Sequence, residues 1–294
     1  MDDFGSNLLI SAIVVTHNSV ENIAPCLASL EREILSTGGE IIIYDNASHD
    51  ATVNSIRHRF PEIKIIASSD NIGFASANNA AARQAQGRYL LMVNPDLILD
   101  EGCPKILVDA YKNNKLAGAV CPRLRHPDGQ FQATCRNIPT PRNIFFSRGS
   151  WLGRRKPGLG EKEIYTLGDY ETTTEVPAAA ATCLLVEREF FIKLGGFDER
   201  FFMFMEDTDL CVRIGQGGRK IYFVPEAGGV HLWGKGADIS VFRRAWYQHL
   251  SVWKYFLKYY PNGFSLFLLP AALMINMIVS LLRSAGRSSG RGKR

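Results

Sequence analysis

Short apolar runs and polar loops alternate along the first hundred residues of the chain. Residues 8–15 form a β-branched run that ends at Thr16-His17-Asn18-Ser19, and residues 40–44 form a second, stopped by Asp45-Asn46-Ala47-Ser48-His49-Asp50. Such uninterrupted runs predict strands buried on both faces. Between them Ile23, Leu27 and Leu30 recur at helical spacing. The pattern then predicts a helix over 51–59, a strand over 63–67, an alanine-rich helix over 74–86 and a strand over 88–93 that closes on Asn94-Pro95-Asp96. Strands alternating with helices predict an α/β domain built on a mostly parallel sheet. Ligands of such sheets bind outside the carboxyl ends of the strands, so the loops at 16–19, 45–50 and 94–96 are expected around one crevice.

Beyond residue 100 the alternation weakens. A helix is predicted over 103–114, a strand over 117–120, and long loops through the Pro-, Arg- and Gly-rich stretch 122–168. Strands follow at 182–186 and 220–224, with helices at 187–194 and 206–215. The tail differs in kind. Trp246, Leu250, Trp253, Leu257 and Tyr260 recur at spacings of three and four among Arg243, Arg244, Lys254 and Lys258, which predicts an amphipathic helix. The next 24 residues, 259–282, carry no charge but are interrupted by Pro270 and Asn276. The organisation expected is a catalytic domain over 1–240, divided near residue 98, and a membrane-associated tail over 241–294.

Charge sharpens this picture. The net charge is +5, yet residues 243–294 hold nine Lys and Arg and no acid, while the first 242 residues hold 25 basic and 29 acidic side chains. A basic tail with an apolar centre points to lipid rather than nucleic acid. Five of these nine Lys and Arg follow residue 282; with a cytosolic catalytic domain, a single span would carry them outside, against the positive-inside tendency. An in-plane or re-entrant anchor is therefore expected instead of a true span. The first seven residues hold two acids and no base, which argues against a secretory signal. The six cysteines form no C-x-x-C pair; Cys26, Cys183 and Cys211 sit in apolar contexts and read as small core residues of a protein in a reducing compartment.

Candidate chemistry lies in the strand-end loops and in two later segments. Asp45 and Asp96 end neighbouring apolar runs, where paired acids can hold a base and a hydrated divalent cation. Thr16-His17-Asn18-Ser19 contains no glycine, which excludes the dinucleotide fingerprint and the Walker A loop. Glu206, Asp207 and Asp209 follow Phe201-Phe202-Met203-Phe204-Met205; acids beside an apolar wall gain proton affinity and suit general-base work. His231 could complete a divalent site with a carboxylate.

These segments, together with Asn71-Ile72-Gly73-Phe74-Ala75-Ser76-Ala77-Asn78-Asn79 and Gly195-Gly196-Phe197-Asp198-Glu199-Arg200, resemble in the same order the family 2 glycosyltransferases of the GT-A fold, particularly their rhamnosyltransferase-like branch. The resemblance implies that Thr16 and Asp45 hold a pyrimidine base and that Asn46, Asn71, Gly73, Asn79 and Asn94 line the donor site. It implies that Asp96 ends a D-x-D-type metal motif, that Asp207 is the catalytic base with Glu206 on the acceptor side, and that His231 joins the metal or diphosphate. The cofactor implied is Mg²⁺ or Mn²⁺. The partners implied are a nucleotide-diphospho-sugar, foremost dTDP-rhamnose, and a polyprenyl-diphosphate-linked glycan acceptor at the cytoplasmic face of the membrane. A UDP-hexose or UDP-galactofuranose donor, and a non-catalytic scaffold of polysaccharide assembly, are the alternatives. Two departures stand out: Asn94 replaces the first acid of the metal motif, and Ala178-Ala179-Ala180-Ala181 stands where a small Gly/Ala pair is usual.

Overall fold

The computed structural model describes residues 9–141, 171–232 and 240–290, with side chains outside the description at 241 and from 280 onward. The chain divides into two compact units: Met1–Ile138 with Leu167–Glu199 and Glu206–Asp238, and Pro139–Thr166 with Arg200–Met205 and Ile239–Arg294.

The first unit is a three-layer α/β domain. Its elements run β1 (Ile10–Thr16), α1 (Ile23–Glu33), β2 (Glu40–Asn46), α2 (Thr52–Arg59), β3 (Lys64–Ser68), α3 (Phe74–Gln84), β4 (Tyr89–Val93), β5 (Leu97–Leu99), α4 (Cys103–Asn113), β6 (Ala117–Arg125), β7 (Phe131–Gln132) and β8 (Cys135–Arg136). They continue as β9 (Thr174–Val176), β10 (Ala178–Ala179), β11 (Cys183–Glu187), α5 (Arg188–Lys193), α6 (Glu206–Gln216) and β12 (Lys220–His231). The main sheet is ordered β3-β2-β1-β4-β11-β6-β12-β5, with β7 added to β6 and β9 to β12. β1 pairs in parallel with β2 and β4, and β12 in parallel with β6; β11 runs antiparallel between β4 and β6.

Side-chain alternation builds a core on each face of this sheet. Ala12 and Val14 of β1 join Leu27 and Leu30 of α1, Ile56 of α2 and Leu107 of α4 in one cluster. Ile13 points the other way, toward Ala75, Ala77 and Ala81 of α3, Phe191 of α5 and Leu210 of α6. Burying both faces requires the apolar runs that the sequence shows. All six cysteines are free and buried, as small core residues should be. Burial pushes the Cys211 thiol up to about 12, which leaves it inert near neutral pH.

Three features differ from the sequence-based expectation. Leu97–Leu99 is a strand, hidden in the sequence by its three-residue length. β12 continues past Val224 to His231, absorbing Pro225, Glu226 and Ala227 in a bulge opposite β6. The stretch read as loops from residue 122 is regular as far as Arg125 and again at β7 and β8; residues 142–170 lie outside the described structure.

The second unit contains α7 (Val241–Tyr259), a π-turn over Phe264–Leu268 and α8 (Leu269–Gly290). Its buried stripe along α7 is Ser251, Val252, Tyr255 and Phe256, not the stripe led by Trp246, which is 48% exposed. Arg200–Met205 belongs to this unit through α7: Phe202 stacks on Tyr247 with centroids 4.4 Å apart, Ser251 Oγ donates to Met203 O at 2.8 Å, and Lys254 Nζ donates to Arg200 O at 2.7 Å. Among the described residues no helix is long and apolar enough to cross a membrane.

Candidate active site

Strand direction decides which side chains can meet. β1, β2, β4, β6 and β12 all run the same way, so Thr16, Asp45, Asn94 and His231 stand at one edge of the sheet. This is the carboxyl edge, where α/β sheets take ligands.

The first cluster joins β1 and β2. Thr16 Oγ1 donates to Asp45 Oδ1 at 2.8 Å, and Ser48 donates to the same carboxylate from Oγ (2.6 Å, Oδ1) and from its backbone N–H (2.9 Å, Oδ2). His17 Nδ1 donates to Asn46 O at 2.8 Å. The Asn46 amide accepts from Ile72 N at 2.8 Å and donates to Gly73 O at 3.2 Å, while Asn71 Oδ1 accepts from Gly73 N at 3.1 Å. Gly73 takes φ 86° at the start of α3, a backbone that favours glycine. Asn46, Asn71 and Gly73 thus form one braced loop beside Asp45. Asn79 has another task here: its Nδ2 donates to Phe197 O and Glu199 Oε1 at 2.8 and 3.0 Å, and its Oδ1 accepts from Phe197 N at 2.8 Å.

The second cluster joins β5 and β12. His231 Nε2 lies 3.1 Å from Asp96 Oδ1, and His231 Nδ1 donates to Gln132 Oε1 at 3.0 Å; Asp96 and His231 are 2% and 7% exposed. An imidazole nitrogen and a carboxylate oxygen are both groups that Mg²⁺ or Mn²⁺ accepts as ligands, and a cation bound here would take the place of the His231–Asp96 contact. Among the described residues there is no group of three or more His, Cys, Asp and Glu able to hold a metal, so the remaining positions would fall to diphosphate oxygens and water. Asn94 contributes backbone: its N–H donates to Thr182 O at 2.9 Å and its O accepts from Leu97 N at 3.2 Å.

The third cluster stands at the start of α6. Arg136 Nη2 donates to Asp207 Oδ1 at 2.6 Å and to Thr208 Oγ1 at 2.7 Å, and Thr208 N donates to the same Oδ1 at 2.6 Å. The setting of Asp207 is therefore cationic and polar, where an apolar wall was expected. Burial acts instead on Glu206: desolvation first, then the charge of Asp207, pushes its carboxyl up to about 8. Its Oε2 has no hydrogen-bond partner among the described residues. Asp209 is a structural acid, paired with Arg213 Nε at 2.7 Å one helical turn on.

Gln132 and Arg136 tie the second and third clusters together. Only four residues apart, they stand within roughly 14 Å along the chain, one on His231 and the other on Asp207. Neither was singled out from sequence, because an isolated Gln and an Arg among many carry no local signal; their partners lie 99 and 71 residues away.

A carboxyl-edge crevice of this kind is shared by a known class. Residues 11–195, more than half the chain, match the family profile described as Glycosyl transferase family 2, and the chain belongs to that family of glycosyltransferases. Among its relatives is the N-acetylglucosaminyl-diphospho-decaprenol L-rhamnosyltransferase of Mycobacterium tuberculosis (strain ATCC 25618 / H37Rv), 28% identical over 247 residues that cover 76% of each chain. Rhamnosyltransferase WbbL of Escherichia coli (strain K12) is 25% identical over 82% of this chain and 90% of its own. The fold is GT-A-like: it resembles GalNAc-T7 with UDP, GalNAc and Mn²⁺ at a TM-score of 0.59 and 18% identity, covering 79% of this chain and 45% of that one. It likewise resembles the mannosyltransferase PcManGT from Pyrobaculum calidifontis in complex with GDP-Man and Mn²⁺, at a TM-score of 0.58 and 17% identity over 97% of this chain and 77% of the other.

Proposed function

We propose that this glycosyltransferase moves L-rhamnose from dTDP-rhamnose to a polyprenyl-diphosphate-linked glycan, with inversion at the anomeric carbon, at the cytoplasmic face of the membrane. The observation that carries the reading is the arrangement around Asp207. Every hydrogen bond it receives falls on Oδ1, which leaves Oδ2 to accept a proton, and the strip from Gln132 to Arg136 tethers it to the Asp96–His231 pair. The names of the two rhamnosyltransferase relatives support the sugar and, for one of them, the lipid-linked acceptor.

In this scheme Asp45, oriented by Thr16 and Ser48, accepts from the pyrimidine ring. Asp96 and His231 would hold a divalent cation, which when bound neutralises charge developing on the departing diphosphate. Asp207 Oδ2 takes the proton of the acceptor hydroxyl while the acceptor oxygen forms its bond to the anomeric carbon and the bond from that carbon to the diphosphate breaks. A positioned base contributes about 10²- to 10⁴-fold. Asp207→Asn should therefore lower turnover by about that factor and leave thermal stabilisation by dTDP intact; full turnover in the variant removes the mechanism. A panel of dTDP- and UDP-sugars, scored by nucleotide release and repeated after chelation, tests the donor and the metal. Release from a UDP-hexose alone would replace the rhamnose assignment.

A further inference from the structure

We infer that Arg136 is the positioning residue of the base: its guanidinium fixes Asp207 by Oδ1, so that Oδ2 is the oxygen presented to the acceptor hydroxyl. The inference rests on Asp207 being the base, and it goes further in assigning how the carboxylate is oriented.

Three observations carry it. First, one guanidinium nitrogen bridges Asp207 Oδ1 and Thr208 Oγ1, at 2.6 and 2.7 Å, while Thr208 N donates to the same Oδ1. The donors converge on one oxygen, so the carboxylate cannot rotate about its terminal bond without losing several hydrogen bonds together.

Second, the mounting is rigid. Arg136 lies on β8, which pairs antiparallel with β10 through Arg136–Ala178 and Cys135–Ala179. β10 is fixed to the helix that carries Asp207, because Ala179 N donates to Cys211 Sγ at 3.4 Å and Cys211 Sγ donates to Ala179 O at 3.5 Å. Ala178, Ala179 and Ala181 are all buried, and side chains this small let the ribbon close on α6. The alanine run that departs from the family pattern thus becomes part of the support for Arg136.

Third, the charges select one acid of two. Among the described residues, the charged groups that act on Glu206 are Asp207, Arg136 and Asp209, and Asp207 and Arg136 also act on Cys211. Adjacent acids compete for ionisation, and the cation contacts Asp207, whereas Glu206 Oε2 has no partner among the described residues. Arg136 therefore contacts one acid of the two and leaves the other without a cation against it. A proton arriving from the acceptor is taken at Oδ2, and the guanidinium remains bound at Oδ1 throughout.

The test uses the full-length protein, with the donor identified by the panel above and a polyprenyl-diphosphate N-acetylglucosamine acceptor. Rates are followed from pH 5 to 9 for Arg136→Met, Arg136→Lys and Asp207→Asn, and dTDP thermal stabilisation reports folding and donor binding. Removing the cation raises the proton affinity of the base. In Arg136→Met the acidic limb of the rate profile should thus move up by roughly one pH unit or more, and kcat should fall by about 10²-fold. Arg136→Lys keeps the charge but sets it on a flexible stem without the planar guanidinium; its acidic limb should stay in place while kcat drops by about tenfold. An Arg136→Met profile that superimposes on the wild type overturns the inference, as does full activity in Arg136→Lys should the methionine variant fail to fold. Full turnover in Asp207→Asn would instead strike the assignment of the base itself, so the two failures are distinguishable.

Discussion

Burial holds the Glu206 carboxyl protonated near neutral pH, and that has a thermodynamic signature. Its proton affinity rises from an ordinary 4.5 to about 8 in the folded chain. Between those values the native state binds a proton that the unfolded state has released, so stability falls as pH rises through this window. The contribution is fully present below 4.5 and lost above about 8. Glu206→Gln, which cannot ionise, should flatten the dependence and be more stable than the wild type at pH 9, by on the order of a few kcal/mol. Thermal melts from pH 4 to 9 check this, and parallel curves for the two proteins would refute it. Protonated Glu206 is also a hydrogen-bond donor one residue before the base, a role opposite to that of the carboxylate beside it. The sequence placed three acids next to a row of large apolar residues without singling one out; side-chain direction, which spacing alone does not give, leaves Glu206 as the buried acid with no cation in contact.

At the scale of elements, the most constrained junction is the one between α3 and the loop after α5. Gly196 has φ 69°, and a Cβ there would lie 2.4 Å from Asn79 Oδ1. Gly196→Ala should combine left-handed strain with loss of the Asn79 clamp on Phe197 and destabilise by roughly 1–3 kcal/mol. Urea unfolding is the measurement, and a shift under about 0.5 kcal/mol would show that the loop relaxes freely. The same scale shows what the sequence made legible. β1, β2, β4 and α1 through α4 were predicted nearly to their ends, because apolar runs of five to seven residues and helical stretches of eight to eleven residues carry their own signal. Asp45 and Asp96 were legible for a related reason: a strand end fixes the position of the residue that follows it. β8 and β10 were not, since two residues have no period. Arg136 was invisible with them. In α7 the helix was predicted and its buried face was not: Val252, Tyr255 and Phe256 are buried and Trp246 is exposed, a choice made by tertiary packing.

For the whole molecule, the two units divide the chemistry. The first carries every cluster described at the carboxyl edge of the sheet. The second leaves Phe242, Trp246, Leu266, Phe267, Leu268, Met274, Ile275 and Ile278 exposed, and Arg243 and Arg244 accompany them in a sequence free of acids. Exposed apolar side chains with a basic flank are the composition of a helix that lies in a bilayer interface, and we propose a lipid-facing role for this unit. The chain should co-sediment with phosphatidylglycerol vesicles, and Phe267→Glu combined with Ile275→Glu should weaken that partition by about tenfold; equal partition of variant and wild type would dismiss the lipid face. Within the first unit, the strip from Gln132 to Arg136 works as a ruler. An extra residue inserted into it would reset the separation of the two flanking clusters and turn the guanidinium to the opposite side of its ribbon, away from Asp207. Segments on either side of these five positions can lengthen without touching either contact, whereas a residue added inside the interval breaks one of them.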